Sequence, residues 1–304
     1  MNRDQLAAGL RHRLRTSDPF ARESLAFMLQ LPDAGIAAAA YTWVTGLGRA
    51  GSLLTVFGPG VDGGRATEFV DGIEVDDQMG FDRWVVGPLS LTIADPMQSA
   101  IVQVSGDELE LSYHFDATHP AYLYSNHPEG SPAFFADDRY EQSGRVTGEL
   151  RIGERVYEID TTAHRDHSWG TRDWGSVQHY KWIVSQAGPD TAVHLFDIQA
   201  LGRRYLRGYV YKDGSMAEIT DAQCTFGHDE RWWQTSVEAT IVDAASRTTH
   251  FRSETFAGFR AKHGPLTAIE TGMRVTIDDR PGIGHVEMAW PTTYFKHLIE
   301  SAET

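Results

Sequence analysis

The chain has 304 residues, 41% hydrophobic and 23% charged, and a formal net charge of −15, a length that fills one large or two modest domains with real cores. So acidic a chain, without any cluster of Lys and Arg interleaved with aromatics, repels phosphate backbones and anionic lipid, which sets aside nucleic-acid binding and docking on anionic lipid; no stable membrane insertion is expected. The single cysteine, Cys224, excludes intrachain disulfides and multi-cysteine metal sites and suits a reducing compartment.

Residues 1–19 predict a short helix, because Leu6, Leu10 and Leu14 recur at helical spacing among Arg11, Arg13 and Arg15. A signal peptide needs an unbroken apolar run of about 7–15 residues, which this start lacks. No stretch reaches the ~20 apolar residues of a membrane-spanning helix. A cytoplasmic protein is expected, its basic start packed on the body.

From there the period changes to two. Ile36 to Thr45 and Ser52 to Phe57 read as strands, followed by Pro88 to Ala94 and Ala100 to Val104. Leu109, Leu111, Tyr113 and Phe115 alternate strictly with Glu110, Ser112, His114 and Asp116, the pattern of a half-buried strand. The turn Ser105-Gly106-Asp107 makes that strand half of an antiparallel hairpin. Ala117 to Ser143, broken by Pro120, Pro128 and Pro132, reads as a long irregular segment. Strands resume at Val146 to Ile152 and Val156 to Ile159.

The second half continues with Tyr180 to Val184, Val193 to Gln199, Tyr205 to Tyr211, Ser236 to Val242, His250 to Phe256, Arg274 to Ile277 and His285 to Trp290. Short strands at regular spacing with Gly/Asp turns, and no long helices between them, predict an all-β, mainly antiparallel fold of sandwich or barrel type. Two β domains are expected after the helix, at residues 20–164 and 165–304.

Within His164 to Gly175 stand two each of His, Asp, Arg, Trp and Gly. If the stretch is extended, His164, Asp166 and Ser168 face one way, and Arg165, His167 and Trp169 the other. His167 and Trp169 then share a wall, a titratable ring beside a large π face. Asp166 either acts in the chemistry or pairs with Arg172 as scaffold. Metal ligation by His164, Asp166 and His167 is disfavoured because neighbours on a strand diverge, and no His-x-x-x-His or His-Glu-x-x-His pair occurs; neither metal nor cofactor is expected. There is no Gly-x-Ser-x-Gly elbow, phosphate loop or dinucleotide fingerprint. Downstream, Tyr180 and Trp182 share a strand face, and Asp197 interrupts an apolar run. Two readings of Asp197 stand side by side: a proton donor in apolar surroundings, or a carboxylate turned to solvent.

Asp166-His167-Ser168-Trp169-Gly170 resembles the Asp-His-x-Trp-Gly signature of the carotenoid 1,2-hydratase (hydroxyneurosporene synthase) and AttH-like superfamily, with fungal Diels–Alderases as more distant relatives. Glu141-Gln142-Ser143-Gly144 and Gly282-Ile283-Gly284-His285-Val286-Glu287 resemble a bacterial branch of the same group. The resemblance spans roughly residues 20 to 295 and implies two tandem lipocalin-like β-barrels. It implies hydrophobic, often isoprenoid or polyketide, substrates handled without metal or redox cofactor. It matches His167 and Trp169 to pocket residues, and Asp197 to the donor of a Tyr-x-Asp, although Leu195 stands in place of the Tyr.

The expected function is acid-assisted hydration, isomerisation or cyclisation of a terpenoid, polyene or polycyclic molecule. Asp166, His167 and Asp197 are the expected catalytic residues, and Trp169, Tyr180, Trp182, Arg172 and Trp174 the expected substrate contacts. The alternative is a carrier that binds an apolar ligand and does no chemistry.

Overall fold

The computed structural model describes residues 8–302. The chain divides into two compact units: Met1–Leu31 with Ala38–Arg172, and Pro32–Ala37 with Asp173–Thr304. The expected boundary at 164/165 falls inside one strand, Arg155–Thr171, which runs unbroken through the motif.

Unit 1 is an antiparallel sheet. In chain order its strands are β1 (Ala21–Leu31), β2 (Ile36–Thr45), β3 (Arg49–Phe57), β4 (Arg65–Glu74), β5 (Trp84–Val86), β6 (Leu89–Asp95), β7 (Ser99–Ser105), β8 (Leu109–Ala117), β9 (Tyr122–Leu123), β10 (Asp138–Ile152) and β11 (Arg155–Thr171). They lie in the order β4-β3-β2-β1-β11-β10-β8-β7-β6-β5, with β9 added on β10. The sheet curls until β3 meets β5, where Ser52 Oγ donates to the Val86 carbonyl at 2.7 Å. β8 follows its sequence pattern: Leu109, Leu111, Tyr113 and Phe115 are buried while Glu110, Ser112, His114 and Asp116 are exposed.

Unit 2 is a closed barrel of β12 (Val177–Gln186), β13 (Ala192–Ala200), β14 (Arg203–Lys212), β15 (Ser215–His228), β16 (Gln234–Asp243), β17 (Thr248–His263), β18 (Leu266–Ile277) and β19 (Arg280–Pro291). Its lumen is filled. Ile183, Leu195, Val210, Val237, Phe251, Ile269, Val286 and Met288 belong to one buried apolar cluster. The all-β class and the tandem barrel-like architecture are those expected.

The helix expected over residues 1–19 falls in part on residues 1–7, outside the described residues; Ala8 is helical, and residues 11–18 are neither helix nor strand. The Arg side chains are spent on a loop: Arg11 Nη1 donates to the carbonyls of Asp76 (3.0 Å) and Met79 (2.6 Å), and Arg13 Nε to that of Asp77 (2.9 Å). The His12 backbone N–H goes to the Glu23 carboxylate instead of a helical carbonyl. A helix is found at the other end, α1 (Thr292–Ala302), whose Phe295, Leu298 and Ile299 pack on the barrel core at helical spacing. Among the described residues no helix is long and apolar enough to cross a membrane.

Candidate functional site

In unit 1 the motif lies on β11, and its two faces are those read from alternation. On the first face β10 places Ser143 opposite His164, Glu141 opposite Asp166, and Arg139 opposite Ser168. Ser143 Oγ lies 3.0 Å from His164 Nδ1, and His164 Nε2 lies 2.6 Å from Glu141 Oε2. Arg139 joins this chain to Asp166, its Nη2 donating to Asp166 Oδ2 at 3.0 Å while its Nε donates to Glu141. All these side chains are buried. Arg172, weighed from the sequence as the partner of Asp166, donates to the hydroxyls of Ser24 (2.6 Å) and Ser168. The cation beside Asp166 is Arg139.

The second face looks into the sheet's apolar interior. His167 Nε2 lies 2.9 Å from Glu23 Oε1, and His12 Nδ1 lies 3.0 Å from the same oxygen. The Trp169 ring stacks on His12 at 3.8 Å and stands 5.0 Å from His167. Tyr140 and Phe81 present their edges to His167 at 5.4 and 5.3 Å. Glu23 is fully buried, which raises a carboxyl pKa, yet the hydrogen bonds from His12 and His167 overcome this and hold it at about 2. Burial lowers the pKa of His167 despite the opposing pull of Glu23. Arg165, on this face, donates from Nε and Nη2 to Gln142 Oε1 and lies over Phe115. The structure thus brings His167 and Trp169 together and puts Asp166 on the opposite side of the same strand.

Gly170 ends the motif at φ +112°, and a Cβ there would sit 2.3 Å from Asp137 Cγ and 2.4 Å from its backbone N. That N–H donates to the Trp169 carbonyl. Gly170→Ala is expected to cost about 1–3 kcal/mol through backbone strain, with the overlap adding to it. Urea unfolding within ~0.5 kcal/mol of wild type, an ordinary surface change, would refute this account of the glycine.

In unit 2 Tyr180 and Trp182 lie on the face of β12 opposite the lumen cluster. Directly across β19 and β13, Glu287 and Phe196 flank Trp182. The Tyr180 hydroxyl donates to Glu287 Oε1. His285 Nε2 lies 2.7 Å from Glu270 Oε2. His263 lies between the two carboxylates, Nδ1 3.3 Å from Glu287 and Nε2 3.5 Å from Glu270. Trp174 covers this group, stacked on Tyr180 at 5.7 Å. Burial, and secondarily the charge of Glu270, raises the Glu287 pKa; His263, the Tyr180 hydroxyl and His285 oppose the shift without cancelling it.

Asp197 is elsewhere. It lies opposite Lys181 across β12–β13, on the other strand face from Tyr180 and Trp182. Arg204 Nε donates to its Oδ1 at 3.0 Å and Nη2 to its Oδ2 at 3.3 Å. A carboxyl group without charged neighbours, which the donor reading required, is not what the fold provides there.

Several residues of these networks were not among the site residues expected from the sequence: His12, Glu23, Arg139, Glu141, Ser143, Glu270, His263, His285 and Glu287. Alternation within Glu141-Gln142-Ser143 and His285-Val286-Glu287 already pairs the polar members on one face, the one signal that could have found four of them. Metal-ligating atoms converge at His12, Glu23 and His167, all within 4.8 Å of one another. His263, Glu270 and Glu287 are as close, but His263 turns a different ring nitrogen to each carboxylate, so one ion would not take both contacts.

Solved structures share the architecture. The AttH-like protein NE1406 of Nitrosomonas europaea aligns at TM-score 0.64 and 12% identity, over 90% of this chain and 94% of its own. Kievitone hydratase of Nectria haematococca aligns at TM-score 0.66 and 11% identity, over 91% of each chain. CghA, in its structure with Sch210972, aligns at TM-score 0.66 and 13% identity, over 90% of this chain and 89% of its own. At these identities the likeness establishes the fold, which is that of AttH-like proteins. No curated protein matches the chain. The family model described as "Domain of unknown function (DUF7064)" matches residues 6–292, and the chain belongs to that family.

Proposed function

We propose that the protein is an enzyme of the hydratase, isomerase or cyclase kind, acting on an apolar terpenoid, polyene or polycyclic molecule by proton transfer from Glu287. The observation that carries this reading is a carboxyl group whose pKa is raised by burial, hydrogen-bonded to Tyr180 and set among Trp174, Trp182 and Phe196. A carboxyl whose acid form is favoured by burial is suited to act as a general acid. Its proton goes to one carbon of an alkene, leaving a carbocation that the aromatic faces stabilise. Water then adds and gives a proton to the Glu287 carboxylate (hydration), a neighbouring C–H gives its proton back to Glu287 (isomerisation), or a second alkene attacks before that loss (cyclisation). Each route balances without a redox partner.

The shared fold with kievitone hydratase supports a hydratase-type reading. The carrier alternative draws less support, because the lumen of the closed barrel holds packed side chains where a carried ligand would sit. Incubation with candidate polyenes in heavy water should place deuterium on carbon in the product or in recovered substrate. A molecule that binds unit 2 and is returned without label, in every class tried, would overturn the proposal in favour of carriage.

A further inference from the structure

We propose that His12, Glu23 and His167 form a binding site for one divalent transition-metal ion, with zinc the ion the donor set suits best. This goes beyond the proton chemistry assigned to unit 2 and uses none of its residues. The three ligands come from the irregular segment before β1, from β1 and from β11, with Glu23 and His167 144 positions apart in sequence. No local spacing in the sequence announces such a set. The argument against ligation by neighbouring residues of the motif therefore does not touch it.

Two of the three distances between donor atoms are close to those of a tetrahedral centre, and all three lie within 4.8 Å. Zinc bonds to imidazole nitrogen and carboxylate oxygen at about 2.0–2.1 Å, so its ligand atoms stand roughly 3.3 Å apart. Here Glu23 Oε1 is 3.0 Å from His12 Nδ1 and 2.9 Å from His167 Nε2. An opening of a few tenths of an ångström admits the ion. The ligands are already held from behind. Trp169 stacks on the His12 ring, Tyr140 and Phe81 pin the His167 ring edge-on, and Glu23 Oε2 accepts the His12 backbone N–H at 3.1 Å. Such support is what orients metal ligands.

The donor types point the same way. Two imidazoles and one carboxyl group converge, the Glu23 and His167 side chains wholly buried, and neutral imidazole and carboxylate are the forms that ligate. Arg11, a nearby cation, directs Nη1 to the carbonyls of Asp76 and Met79. The His12 side chain keeps 23% of its exposure, while Glu23 and His167 keep none. Water reaching the ion beside His12 would complete the tetrahedron.

The test uses the full chain, stripped with a chelator, reloaded with zinc or cobalt(II) and dialysed. One zinc per chain by elemental mass spectrometry, and the intense visible bands of tetrahedral cobalt, are expected. Both should be lost in Glu23→Gln and in His12→Ala. The second variant touches a partly exposed side chain and guards against loss of folding in the first, and circular dichroism of each reports that fold. His263→Ala, in the other His–Glu group, should still bind one ion. No stoichiometric ion in the wild type, an octahedral cobalt spectrum, or undiminished loading of folded His12→Ala would each overturn the proposal.

Discussion

Glu287→Gln is expected to lower turnover by about 10²–10⁴-fold, the usual worth of a general acid, while apolar ligands still bind. Gln keeps an oxygen for the Tyr180 hydroxyl but carries no acidic proton. The pH dependence has a definite sign. The folded-state pKa of Glu287 lies above its ordinary carboxylate value. The acid form is therefore present at low pH, and the rate falls as pH rises through the raised value. Stability follows the same linkage: this contribution is complete below the ordinary carboxylate pKa and is lost as pH rises through the folded one. Glu270, His263, His285 and Tyr180 all act on the same carboxyl, so the comparison is between wild type and variant across one pH series. Thermal unfolding curves whose pH dependence is parallel in the two proteins would show that Glu287 is not shifted.

The largest loss of stability is expected at Arg139. Its guanidinium serves both Glu141 and Asp166, and all three side chains are at most 9% exposed. Arg139→Met retains the stem and removes the charge, leaving two neighbouring buried carboxylates without it. Breaking a buried pair in this way costs about 3–5 kcal/mol, or roughly 10 °C in Tm for a domain of this size. Adding Glu141→Gln and Asp166→Asn should restore much of the loss, since replacing all charged partners removes the penalty as well as the pairing. A single variant within ~1 kcal/mol of wild type in urea would mean that solvent or other groups already screen these carboxylates.

The strict alternation of β8 was legible residue by residue, and so was the split of the motif into an Asp166 face and a His167 face. Both depend only on the two-residue period of an extended chain. β4 and β15 were not legible: β4 is exposed along most of its length and carries Gly72 and two acidic residues near its end, so it lacks an apolar stripe. β1 escaped for the opposite reason. It is buried along nearly its whole length and shows no alternation, leaving Glu23 looking like a stray charge. The surroundings of Asp197 were not legible because a strand pattern identifies faces but not the element opposite. Arg204 and Lys181 come to Asp197 from β14 and β12, and Tyr180 comes to Glu287 across β12 and β19. The contacts of Asp197 lie across neighbouring hairpins, whose register a face pattern does not give, while the Tyr180–Glu287 contact is set by barrel closure, which no local window contains.

The long β10–β11 hairpin pairs Asp138–Ile152 with Arg155–Trp169 around a two-residue tip. Apolar cross-strand pairs alone discriminate weakly between neighbouring alignments of so long a ribbon. Sliding by one residue turns every side chain to the wrong side. Such a slip would separate Arg139 from Asp166, Glu141 from His164 and Gln142 from Arg165, stranding charges in surroundings that cannot solvate them. The polar groups on both sides of β11 thus penalise a slipped pairing and act as an error-correcting code for the register, independent of any reaction they serve.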